Sequence, residues 1–92
     1  MSSMGPAAAD ARAEVRAIAG EKGHAVEVAA RLRDRLETAF AAGVLRRTPL
    51  LEQALDDLQL ALDQEAGQRL GGKSGEAARF IMRAIVRNLD DA

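Results

Sequence analysis

Residues 76–89 read EAARFIMRAIVRNL, and this stretch decides the fold. In an α-helix each residue turns by about 100°, so the apolar side chains of the stretch sweep an arc of roughly 240°. Arg79, Arg83 and Arg87 fill most of the remainder. A surface helix normally gives about half of its circumference to water. We therefore expect this helix to be enclosed by more than one neighbour, from its own chain or from another.

The rest of the chain is also predicted to be helical. The apolar spacing indicates helices at about 8–19, 24–42, 49–70 and 75–90. Gly43 suits the position after a helix C-terminus. Thr48 can cap the next helix, and Pro49 fits its first turn, where the missing N–H is tolerated. Ser74 is predicted to cap the last helix.

The N-terminal part of the chain is less regular. Residues 1–7 carry Ser, Gly and Pro with little to bury, and we expect a disordered tail there. Gly20 and Gly23 lie within four residues and disfavour helix. They leave open whether residues 8–42 form one kinked helix or two.

The composition favours a single helical domain over 8–90. Alanine makes up 20 of the 92 residues, while phenylalanine is the only aromatic residue and occurs twice. Alanine and leucine are strong helix formers, but alanine buries little area, so the core of one chain is thin. The sequence therefore predicts an all-α protein, a small antiparallel bundle of three to four helices that a second copy completes as a homodimer.

Several classes of site are disfavoured. Without cysteine there is no disulfide and no thiolate metal site. No apolar run approaches the length of a membrane span, and the N-terminus lacks an export leader, so we expect a cytoplasmic protein without a membrane partner. The formal net charge of −1 lacks the basic footprint of a general nucleic-acid binder.

The run from Gly67 to Ser74 matches the phosphate-loop pattern G-x-x-x-x-G-K-[ST] letter for letter. That pattern binds nucleotides only where a strand delivers the loop, and a leucine-rich helix leads into it here. The run is better explained as the end of one helix and the start of the next. We expect no nucleotide and no other cofactor.

The arginine stripe of the last helix has two open interpretations. In one, Arg79, Arg83 and Arg87 line its wet edge and pair with acids of the third helix, a weak kind of contact that helps to fix register. These acids are Glu52, Asp56 and Asp63. In the other, the stripe contacts an anion or a nucleic acid, together with Arg46 and Arg47.

No catalytic group can be assembled from the sequence. Serine occurs only at positions 2, 3 and 74, and the single histidine, His24, reads as a residue at a helix start. We predict no catalytic residue and no metal site, and therefore not an enzyme. One enzymatic alternative remains, a small helical catalyst that clamps an anionic substrate with arginines.

The apolar arc suggests a function in protein–protein interaction. We expect a regulator, an adaptor or an export chaperone that offers an apolar helical surface to a second copy or to another protein. The predicted contact residues are Phe80, Met82, Ile85, Val86 and Leu89, with Leu60 and Phe40 at the rim.

Overall fold

A computed structural model describes residues 4–68 and 73–92. These residues form four α-helices and one short 3-10 helix: α1 (Met4–Ala19), α2 (Ala25–Ala41), α3 (Pro49–Gln68), α4 (Lys73–Arg87) and the 3-10 turn Leu89–Asp91. The described part of the chain contains no strand, which confirms the all-α prediction.

Several helix bounds differ from the expected ones. α1 begins at Met4, so residues 4–7 belong to a helix instead of a disordered tail, while residues 1–3 lie outside the described part. Pro6 is tolerated because it falls in the first turn, and strongly helix-forming alanines follow it. α4 begins at Lys73, which places Ser74 inside the first turn and not at the cap. The expected end of α3 at Leu70 lies outside the described residues.

Residues 20–24 separate α1 from α2, so the N-terminal region is two helices. His24 is the N-cap residue of α2, as expected for a helix start, and its exposed side chain forms no capping hydrogen bond.

The link between α2 and α3 follows the capping rules. Gly43 has φ +74°, its N–H donates to the carbonyl oxygen of Phe40 at 3.0 Å, and the N–H of Val44 donates to that of Ala39 at 2.9 Å. These two bonds form a Schellman motif, which confirms the predicted C-terminus. At the start of α3, Thr48 Oγ1 accepts a hydrogen bond from the N–H of Leu51 at 3.2 Å, which confirms the predicted cap.

Consecutive helices alternate in direction, and α2 and α4 therefore run the same way. At their N-terminal ends, a Cβ built on Gly75 would lie 3.5 Å from the Cβ of Ala25. At their C-terminal ends, Arg46 donates to the carbonyl oxygen of Asp91 at 2.7 Å. α2 and α4 each contact the other three helices, and the extensive contacts of both α1 and α3 are with this pair.

The core is apolar throughout, and no polar or charged residue is buried in the described part of the chain. Its largest fully buried side chains are Val15, Leu32, Leu36, Leu51, Leu58, Met82, Ile85 and Leu89. α4 is thus enclosed by three helices of its own chain, and covering its core-facing side requires no second copy.

Candidate functional sites

Four of the seven predicted contact residues lie in the core of the single chain. Met82 is 1% exposed, Phe40 is 7% exposed, and Ile85 and Leu89 are completely buried. This corrects the expectation that they face a partner. The helical pattern revealed how much of α4 is apolar, but it could not show that α1, α2 and α3 together cover that side.

The remaining three residues are accessible. Phe80 is 64% exposed, Leu60 is 58% exposed and Val86 is half-buried. Ala77 and Ala84, which lie one turn to either side of Phe80, are exposed and half-buried respectively. Phe80 therefore stands on a face of α4 that its own chain leaves open.

Leu60 and Phe80 lie at similar heights on neighbouring helices. Leu60 comes eight residues before the end of α3, and Phe80 comes seven residues after the start of α4. At about 1.5 Å of rise per residue, each lies some 10 to 12 Å from the connected ends of the two helices. We call these two residues, with Ala77 and Ala84, the outer hairpin surface, and that they act as one contact surface is part of the proposal made below.

A third large apolar side chain, Leu50, is 61% exposed. The spacing of polar residues along α3 indicates this exposure. Leu50 shares a helix face with Gln53 and Asp57, three and seven residues further on, and both of these are exposed. It lies in the first turn of α3, far along the helix from Leu60.

The arginine stripe faces α1 and the link that follows it. Arg79 donates to the carbonyl oxygens of Gly23 at 3.0 Å and Glu21 at 3.3 Å, and so fastens this link to α4. Arg83 and Arg87 line a cleft together with residues at the C-terminal end of α1.

The predicted pairing of the arginine stripe with the acids of α3 is wrong. No ion pair between the three arginines and Glu52, Asp56 or Asp63 occurs in the described ranges. Glu52 and Asp56 line a different cleft, and Asp63 accepts a hydrogen bond from Gln59 at 2.9 Å. The reason is the placement of α1, which takes the side of α4 that carries the arginines.

A cleft of about 420 Å³ lies between the C-terminal halves of α1 and α4. We call it the α1–α4 cleft. It is lined by Arg16, Ala19, Gly20, Arg83, Val86 and Arg87. Arg16 also pairs with Asp90. Sequence reasoning missed Arg16, because the register between two helices that are far apart in the chain leaves no local signal.

A second cleft of about 320 Å³ lies between α2 and α3, and three of its six lining residues are acidic. Its lining residues are Glu37, Arg47, Glu52, Leu55, Asp56 and Gln59. The guanidinium of Arg47 lies 4.9 Å from the ring centroid of Phe40, a cation–π contact. This contact helps to cover the ring of Phe40, which was predicted to lie at the rim of a contact surface.

One carboxyl group has a shifted pKa. The pKa of Glu21 lies below its ordinary value, chiefly because Arg31 donates hydrogen bonds to the carboxylate, with the charge of Arg31 adding to the effect. The pair joins the link after α1 to α2 and is exposed, so it is a structural contact and not part of a cleft.

The remaining chemistry is sparse. Within residues 4–68 and 73–92, no three side chains of His, Cys, Asp or Glu cluster in a way that could hold a metal ion. None of the helices in these ranges is both long and apolar enough to cross a membrane. The phosphate-loop pattern from Gly67 to Ser74 runs through residues 69–72, which lie outside the described part.

Comparisons with known proteins find no match for this chain among protein-family models, curated proteins or solved structures.

Proposed function

We propose that this protein is a small cytoplasmic interaction module of the regulator, adaptor or export-chaperone kind. Its contact surface is the outer hairpin surface, and the partner that we assign to this surface is a second copy of the chain. The observation that carries the proposal is the exposure of Phe80. The chain has two aromatic residues, and one of them stands 64% exposed on a well-packed helix.

The surroundings of Phe80 suit a symmetric contact. The small side chains of Ala77 and Ala84 leave space beside the ring, into which the ring of a second Phe80 can pack. In a dimer with two-fold symmetry both copies use the same patch, so the Phe80 ring of each copy is buried by the other copy. Burying a phenylalanine contributes about 1.5 to 3 kcal/mol, and aromatic pairs add somewhat more.

The charge of the protein does not oppose this association. A net charge of −1 gives little repulsion between two copies, and proteins near zero net charge associate readily. The surface is small, however, since Leu60 and Phe80 are its only large apolar side chains. We therefore expect a transient dimer with a dissociation constant on the order of 10 to 100 µM.

Sedimentation velocity over a range of protein concentrations tests the proposal. The wild-type chain is expected to shift from monomer to dimer as its concentration rises, and Phe80→Ser is expected to stay monomeric at every concentration.

Leu50→Ser is the matched control, because Leu50 is similarly exposed but lies outside the outer hairpin surface. It should dimerise like the wild type. A wild-type chain that remains monomeric throughout, or a Phe80→Ser variant that dimerises normally, would show that this surface does not mediate self-association.

A further inference from the structure

The α1–α4 cleft combines an apolar floor with a basic rim, and none of the residues that line it belongs to the outer hairpin surface. We propose that it binds a small organic anion, namely a carboxylate on a short apolar chain. Arg83 and Arg87 follow Phe80 by three and seven residues and so lie on its side of α4, whereas Val86 is turned about 120° away from Phe80, toward α1. The basic rim of the cleft therefore borders the outer hairpin surface, while its floor lies between α1 and α4.

The floor of the cleft suits an apolar chain. Ala19 and Val86 are half-buried and present only carbon atoms, and Gly20 adds no side chain. The volume of about 420 Å³ lies in the range of small-molecule sites. The cleft is shallow and open to solvent, so a chain of eight carbon atoms can lie along its floor with the carboxylate at the rim.

The rim suits a single negative charge. Arg83 and Arg87 lie one helical turn apart, and neither forms an ion pair within the part of the chain that the structure describes. Arg16 faces them from α1 and pairs with Asp90, whose carboxylate is 79% exposed. Two guanidinium groups with unused donors can bind one carboxylate through several charge-assisted hydrogen bonds.

The same surroundings argue against a polyanion such as nucleic acid. The basic rim consists of three arginines, and the carboxylate of Asp90 lies beside one of them. Arg79, the next arginine of the stripe, donates to backbone carbonyls of the link after α1. A duplex needs a run of cationic contacts to successive phosphates, and this rim is too short to provide one.

Titration of isotope-labelled protein with octanoate, followed by ¹⁵N–¹H spectra, tests the assignment. We expect saturable shifts at the amides of Ala19, Gly20 and Val86, with a dissociation constant on the order of 1 mM or below. Octanol lacks the charge and acetate lacks the chain, so each should bind at least ten times more weakly. Octanol binding as tightly as octanoate, or octanoate shifts that fall elsewhere, would overturn the proposal.

Two variants separate a specific site from general attraction to a cation. Arg83→Gln combined with Arg87→Gln should weaken octanoate binding at least tenfold. Arg47→Gln removes an exposed arginine that lies outside the cleft and should leave the binding unchanged. Circular dichroism checks that each variant is folded. Equal weakening by Arg47→Gln, or no weakening by the double change, would also overturn the assignment.

Discussion

The two phenylalanines lie in opposite environments although both are on amphipathic helices. Phe40 is packed in the core near the end of α2 and is covered in part by Arg47, while Phe80 is solvent-exposed on α4. The sequence placed both at a partner surface, because a helical pattern shows which side chains share a face and not how far the neighbouring helices cover it. The two rings should therefore contribute very differently to the free energy of unfolding.

Phe40→Ala is expected to lower the free energy of unfolding by about 3 to 5 kcal/mol, since it opens a cavity in the core. Phe80→Ser should change it by about 0.5 kcal/mol or less in dilute solution, because an exposed ring is lost. Urea denaturation followed by circular dichroism measures both. A large loss for Phe80→Ser would mean that the ring is packed against its own chain.

The pair of Glu21 and Arg31 predicts a pH dependence. Because the folded-state pKa of Glu21 is lowered, the ionised carboxylate stabilises the fold above its unfolded-state pKa. This contribution is lost as the pH falls through the lower, folded-state pKa. We expect Glu21→Gln to reduce the free energy of unfolding at neutral pH and to match the wild type in strong acid.

Arg31→Gln provides the control for this pair. In that background, adding Glu21→Gln should have no further effect at any pH, since the hydrogen-bonding partner is already absent. Urea titrations at a series of pH values would show this. If Glu21→Gln has the same effect in the Arg31→Gln background as in the wild type, the pH dependence does not arise from the pairing of Glu21 with Arg31.

The ends of the elements follow local chemistry. Gly43 and Thr48 could be placed from the sequence because capping depends on residues close together in the chain, and the structure contains both motifs. Local sequence could not predict which acidic side chains pair with the arginines of α4. This pairing depends on which side of α4 meets α1, and that is decided by the packing of the whole bundle.

Glycine substitutions test the local account. Gly43→Ala is expected to lower the free energy of unfolding by about 1 kcal/mol, because φ +74° is strained for a residue with a Cβ. Gly20→Ala is the matched control at the end of α1, where a Cβ would meet its nearest atoms at an ordinary 3.6 Å. In thermal unfolding, the midpoint of Gly20→Ala should be equal to that of the wild type or slightly higher. Equal effects of the two changes would contradict the capping role of Gly43.

For the whole molecule, the apolar arc of α4 has two parts with different roles. The part from Ala78 to Leu89 that faces inward is covered by the chain's own helices. The part around Phe80 is not. The sequence could predict four helices and an enclosed α4, and helices of the same chain cover the inward-facing part. The association proposed here therefore involves a smaller surface than the sequence indicated.

The α1–α4 cleft also arises only at this scale. Its rim takes one arginine from α1 and two from α4, which are about seventy residues apart in the chain. The helical spacing revealed the two on α4. Only the fold brings Arg16 beside them, so the site had no complete signature in the sequence.

The most direct test of the central claim is a dilution series of ¹⁵N–¹H spectra of the wild-type chain. If two copies meet through the outer hairpin surface, the amides that shift with concentration should cluster around Leu60, Ala77, Phe80 and Ala84, and those around Leu50 should stay fixed. Spectra that do not change across the series, or shifts centred on another face, would contradict the claim.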